Sequence, residues 1–297
     1  MIKLTDFDSL LSATVKDRSK IELQRDDLDN LLSGKYRYSF ELAKDNCFIY
    51  RGEKGKKPEI FLSRSGIRKS ENTSNYYTDL MSNKLDCWKE YPRRDSSFIC
   101  STNFENAESY SSPNNVYSIL IPEGIKIGVC PKDDIWTSFS KFLRHIYVTL
   151  HDNNLKCRII YNDMIFYIND CLTYLFKTDN FNDDYFSKID SLVLKIDNEI
   201  AGNNNIKNIQ DLFEKYKSFP HTYYYLKFYF YLMKKNENMS SKEVLEKYFS
   251  PEFNNFQLCT ISELDKNLFD TNTEIWVDGS KDDILFINHQ WLKYLLR

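Results

Sequence analysis

The sequence predicts an α+β fold, a mixed β core interrupted by a helical insertion. Short apolar runs alternate with polar loops over residues 36–130, helical spacing takes over at about 131–255, and strand character returns beyond 256. Glycine (8) and proline (7) are scarce among the 297 residues, which argues for long regular elements over a turn-dense all-β chain. A terminal hairpin is marginal by itself, so the last strands are expected to join the earlier sheet. The predicted organisation is a helical segment over 1–35, a core built from 36–130 and 256–297, and an insertion at 131–255. The competing arrangement is a β domain followed by a separate helical domain with a stray hairpin.

Taken in order, residues 16–33 carry Ile21, Leu28, Leu31 and Leu32 on one helical face, stopped by Ser33-Gly34. Runs at 47–50, 60–62, 97–100, 116–121 and 125–129 read as strands, with Pro122-Glu123-Gly124 as a turn between the last two. Helical periodicity then marks 134–150, the run from Met164 to Phe176 and the run from Ile189 to Ile200, which Gly202 should stop. Further helices are expected at 207–217 and 220–235, split at Pro220, and after the capping box Ser240-Ser241-Lys242-Glu243. Strands follow at 257–262, 273–277 and 283–288, with Asp278-Gly279 as a hairpin signal.

Composition narrows the function classes. Hydrophobic residues make up 42% and aromatics 15%, enough for a globular core, and a net charge of −3 excludes a wholesale basic nucleic-acid binder. Cysteines 47, 87, 100, 130, 157, 171 and 259 are odd in number and form no Cys-x-x-Cys pair, a pattern of reduced thiols with Cys100 and Cys130 as small core residues. The four histidines show no metal-ligand spacing. The start, Met1-Ile2-Lys3-Leu4, lacks signal-peptide character, and the most apolar stretch, Tyr223 to Met233, is too short to span a bilayer. A soluble, cytoplasmic protein without a membrane partner is expected.

Three islands carry the candidate chemistry. Arg51, at the end of Cys47-Phe48-Ile49-Tyr50, has the fork geometry to hold a phosphate, and Gly52 lets a flat ring approach the backbone. Ser101 and Thr102 end the run Phe98-Ile99-Cys100, where hydroxyls can support a ribose or orient a carboxylate; this segment reads equally as the cap of a helix starting near Asn103. Glu274 opens Glu274-Ile275-Trp276-Val277, and a carboxylate beside a ribose can stabilise oxocarbenium character at the anomeric carbon.

In order and in placement on strand-like runs, Arg51, Ser101-Thr102 and Glu274 resemble the R-S-E signature of mono-ADP-ribosyltransferases. The stretches Asn106 to Tyr110, Val116 to Pro122 and Glu274 to Asp278 are similar to phage-encoded members, and the resemblance covers about 36–130 and 257–288. It implies an NAD-binding cleft, with Arg51 and Gly52 against the dinucleotide, Ser101 and Thr102 supporting it, Glu274 catalytic, NAD as substrate and no metal. It implies transfer of ADP-ribose to a macromolecular acceptor, nucleic acid or protein. Two departures stand out: Asn103 replaces the third residue of the Ser-Thr-Ser motif, and Asn272 stands where arginine-modifying members carry a second glutamate. The Asn272 departure points away from arginine as acceptor. An NAD glycohydrolase without macromolecular acceptor and a non-enzymatic α+β interaction protein remain the alternatives.

Outside the islands, 51–69 carries seven basic residues against Glu53 and Glu59, a surplus that suits a polyanion or a solvated loop. Arg93-Arg94 reads as a phosphate aid or a surface turn, and Tyr76-Tyr77 as a stacking platform or a helix start.

Overall fold

A computed structural model describes residues 20–22, 25–68, 76–139, 185–202 and 238–296, with a few isolated positions between 211 and 236. The chain divides into two units, one of 1–68, 90–137 and 256–297, the other of 69–89 and 138–255. The second unit therefore draws on 69–89 as well as on the segment expected to be inserted. The helical runs expected at 134–150, 164–176, 207–217 and 220–235 lie wholly or largely outside the described residues.

The first unit is built on a nine-stranded sheet. Its strands are β1 (Lys20–Glu22), β2 (Tyr50–Gly52), β3 (Ile60–Ser63), β4 (Ser97–Ser101), β5 (Val116–Leu120), β6 (Lys126–Val129), β7 (Gln257–Thr260), β8 (Glu274–Asp278) and β9 (Ile284–Asn288). They run in the order β1-β3-β9-β5-β2-β4-β8-β6-β7. The core was expected to be a mixed sheet; every pairing among the described strands is antiparallel.

Several local expectations give way to tertiary pairing. Residues 20–22 belong to β1, laid against β3, and the helix α1 covers only Arg25–Ser33. The expected hairpin at Asp278-Gly279 does not form, because β8 pairs with β4 and β6 while β9 pairs with β3 and β5. The turn at Pro122-Glu123-Gly124 likewise joins strands that do not pair with each other. Both short connections step across three intervening strands, which requires a sheet curled on itself. The packing agrees. Phe98 of β4 and Phe286 of β9 have ring centroids 5.2 Å apart, whereas three strand spacings in a flat sheet amount to about 14 Å.

Alternation sends side chains to two faces. The concave core gathers Ile49, Phe98, Tyr117, Ile127, Ile275 and Phe286. The other face holds Phe48, Ile60, Leu62, Leu285 and Ile287 under α1, α2 (Arg37–Lys44) and a helix later in the chain. A third helix, α3 (Phe104–Ser109), starts at Asn103, whose side chain accepts from the Asn106 N–H and caps it. The last, α4 (His289–Leu295), buries Leu292 in the same outer layer.

In the second unit a helix over Tyr185–Gly202 is described, as is one over Ser241–Phe249 with the capping box between Ser240 and Glu243 in place. Trp88, buried there, donates its indole N–H to the Phe249 carbonyl at 2.8 Å. No described helix is long and apolar enough to cross a membrane.

Candidate functional site

The three islands fall on neighbouring strands. Tyr50 is the register partner of both Ser118 and Ser101, and Ser101 is the partner of Glu274. Cross-strand partners share a face. Ser118, Tyr50, Ser101 and Glu274 therefore form one row across β5, β2, β4 and β8. Cys130 continues it past β6, donating its N–H to the Glu274 carbonyl at 2.9 Å.

Glu274 is the charged member of this row, and it is buried. Arg94 Nη2 lies 2.6 Å from its Oε1, with the arginine side chain 5% and the glutamate side chain 11% exposed. The Cys130 thiol approaches the same Oε1 at 3.5 Å. Burial works against the charge on Arg94. The Glu274 carboxylate beside it outweighs that penalty and holds the guanidinium proton more firmly than in water. The Arg94 Nη1 finds no acceptor among the described residues, an omission that costs about 1–3 kcal/mol for a buried donor. An ion pair of this kind contributes little net stability compared with apolar packing.

A stack of aromatic contacts sets the pair in place. Gly128 is the register partner of Trp276, and a Cβ on Gly128 would sit 2.2 Å from the indole ring, so glycine there lets the ring lie over β6. The Trp276 Nε1–H donates to the Pro92 carbonyl at 2.9 Å. The Arg94 guanidinium in turn sits 5.6 Å from the indole ring centre. The 3-10 turn Arg94–Ser96 sends Arg94 inward while Arg93 pairs outside with Asp95 at 2.7 Å. Neither arginine of the Arg93-Arg94 pair stands ready for a phosphate.

Thr102 ties the loop before Glu274 to the end of β4. Its hydroxyl donates to the Thr271 carbonyl at 2.6 Å and accepts from the Thr273 N–H at 2.9 Å, while its own N–H donates to the Thr273 carbonyl. Asn272 Oδ1 accepts from Asn106 Nδ2 at 2.9 Å. Ser101 Oγ accepts from the Asn103 N–H at 3.0 Å, so Ser101 belongs to the strand and Asn103 is the helix cap. On the far side of Tyr50, the ring of His289 packs edge-on against Phe48 and Tyr50, and its Nδ1 lies 2.9 Å from Ser118 Oγ. Burial pushes the Tyr50 phenol up to about 12.

Arg51 is placed differently. By alternation from Tyr50 it faces the concave core, away from Glu274. Its Nη1 donates to the Ile99 carbonyl at 2.7 Å, its Nε to Glu53 at 2.9 Å, and the guanidinium lies over the Phe98 ring. The phosphate role expected of it meets a guanidinium already engaged by the protein. Gly52 does permit a close backbone approach, but the approaching group is α3: a Cβ there would meet the Ala107 carbonyl oxygen at 2.1 Å. A recess lined by Ser39, Cys47, Phe48 and Ile261 under α2 reaches the row at Ser118, the end remote from Glu274.

The fold and the row define an α+β protein with an arginine-held carboxylate at the start of an interior strand of an antiparallel sheet. Comparison with protein-family models, curated proteins and solved structures gave no match. The sequence reading passed over Tyr50, Cys130 and Trp276 as site neighbours and read Arg93-Arg94 as a phosphate aid or a surface turn. The alternation around Tyr50 was legible, but which arginine of the pair turns inward depends on the turn that carries it.

Proposed function

We propose that the protein cleaves NAD and transfers ADP-ribose to a macromolecular acceptor. The observation that carries this reading is the register that sets Tyr50, Ser101 and Glu274 side by side on three adjacent strands. In the reaction the bond between nicotinamide and ribose breaks, and nicotinamide leaves with the electron pair. Glu274, hydrogen-bonded to the neighbouring 2′-hydroxyl, stabilises the positive charge that develops on the ribose. An acceptor oxygen or nitrogen then attacks the anomeric carbon and loses its proton to solvent. Thr102 and Ser101 hold the loop and strand that present the carboxylate, and Arg51 braces β2 against β4.

The acceptor is proposed to be other than arginine. A carboxylate two residues before Glu274 would steer and deprotonate a guanidinium, whereas the Asn272 amide, engaged with Asn106, cannot act as a base at neutral pH. The basic residues of 51–69 favour a polyanion, which makes nucleic acid the acceptor to offer first.

The test is nicotinamide release from NAD labelled in its adenosine half, with nucleic acid and protein offered together. Glu274→Gln, which keeps an acceptor for Arg94 but leaves its buried charge unbalanced, should lower release on the order of a hundredfold or more in protein shown folded by circular dichroism, at a lowered melting temperature. Undiminished release in this variant would overturn the assignment. Label recovered on nucleic acid supports the proposed acceptor, label on arginine side chains refutes it, and label left wholly as free ADP-ribose makes the protein a glycohydrolase.

A further inference from the structure

We propose that Arg94 is a positioning residue for Glu274, acting on the reaction only through that carboxylate. The inference rests on the reading of Glu274 as the group that stabilises the ribose cation. Both hydrogen bonds to the side chain, from Arg94 Nη2 and from the Cys130 thiol, converge on Oε1. One oxygen is fixed from behind, which leaves Oε2 for a ligand hydroxyl. Arg94 is itself over-determined by its neighbours. The indole of Trp276 lies beneath its guanidinium, Trp276 is tied to Pro92, and Gly128 leaves the room that ring needs.

This arrangement has little value as a stabilising device. A buried ion pair gains less than apolar packing of the same volume, and here it also leaves the Arg94 Nη1 without an acceptor among the described residues. What the pair does supply is direction: a glutamate with three rotatable bonds is confined to one rotamer at the strand start. Preorganised charge of this kind acts in the transition state, without reorganisation during the reaction. Arg94 touches neither nucleotide nor acceptor in this scheme, so its removal should slow turnover and leave NAD affinity in place.

A double-mutant cycle tests this, with steady-state nicotinamide release measured for wild type, Arg94→Met, Glu274→Gln and Arg94→Met/Glu274→Gln, each checked by thermal melting. Arg94→Met should lower kcat by about tenfold to a hundredfold with KM changed less than about threefold, in proportion to one lost electrostatic contact. In the Glu274→Gln background the same substitution should cost less than about twofold. Arg94→Lys, which restores the charge without the planar fork, should recover part of kcat. If Arg94→Met does not fold, Arg94→Lys takes its place, and a lowered kcat at constant KM supports the proposal. Equal losses in both backgrounds, a loss confined to KM, or an Arg94→Lys enzyme with wild-type kcat would each overturn the role of Arg94 and leave the wider reading intact. A wild-type protein that releases no nicotinamide, or a Glu274→Gln variant as fast as wild type, would instead bring down the reading of the site and this inference with it.

Discussion

At the level of single residues, each polar side chain packed on the sheet sets a local cost that its neighbours must offset. His289 illustrates this on the side of the row opposite Glu274. Burial among Phe48, Tyr50 and Phe104, with Lys293 adding repulsion, pushes its pKa down from 6.5 to about 4. The folded protein therefore keeps the ring neutral where the unfolded chain already binds a proton. This contribution to stability is complete above about pH 6.5 and is lost as the pH falls toward 4. Melting temperatures measured between pH 7.5 and 4.5 should fall more steeply for wild type than for His289→Gln. Parallel curves would show that the imidazole is not held neutral. Gly52 gives a second residue-scale expectation. Its missing Cβ is replaced by a backbone oxygen, which cannot swing aside as a side chain can. Gly52→Ala should lower the unfolding free energy in urea by about 1–3 kcal/mol, the usual cost of overpacking.

Elements show which features were legible in sequence and which were not. Strand positions were readable because alternation and turn residues are local; β4, β5, β6, β8 and β9 lie close to the apolar runs that announce them. The capping box at Ser240 was readable for the same reason. Pairing was not, since nothing local says that Asp278-Gly279 leads away from its neighbour strand to the far half of a curled sheet. The N-terminal pattern at 16–33 read as one helix because Ile21 keeps helical phase with Leu28. The free edge of β3 claims residues 20–22 instead. Of the candidate site, Ser101, Thr102 and Glu274 were found from their strand-terminal placement, whereas the opposite facing of Arg51 followed only once Tyr50 and Ser101 were seen to pair. Helix α3 offers a test at this scale. Asn103→Ala removes its cap and should cost about 1 kcal/mol in denaturant unfolding. Asn103→Ser should recover most of it.

For the molecule as a whole, charge is distributed so that part of the basic surplus at 51–69 is internally satisfied. Arg51 pairs with Glu53 at 2.9 Å and Arg64 with Asp283 at 2.8 Å. Lys56, which is exposed, and the half-buried Lys57 beside it are residues through which a polyanion would be attracted under the proposed reading. Binding to single-stranded nucleic acid, followed by fluorescence anisotropy, should weaken steeply between 50 and 200 mM salt, in the manner of counterion release. Lys56→Glu/Lys57→Glu should flatten that dependence. Affinity indifferent to salt would remove nucleic acid from the list of acceptors.

The order of strands in space differs from their order along the chain in a way that bears on synthesis. Strands β8 and β9 come later in the chain than the strands they lie between, yet both are interior to the sheet: one slots between β4 and β6, the other between β3 and β5. Until they arrive, four apolar edges stand unpaired, and such edges invite association with other chains. Glu274 travels on β8. Its carboxylate therefore meets Arg94 only once β8 has docked between β4 and β6, so under the proposed reading the site and the closed sheet are assembled together.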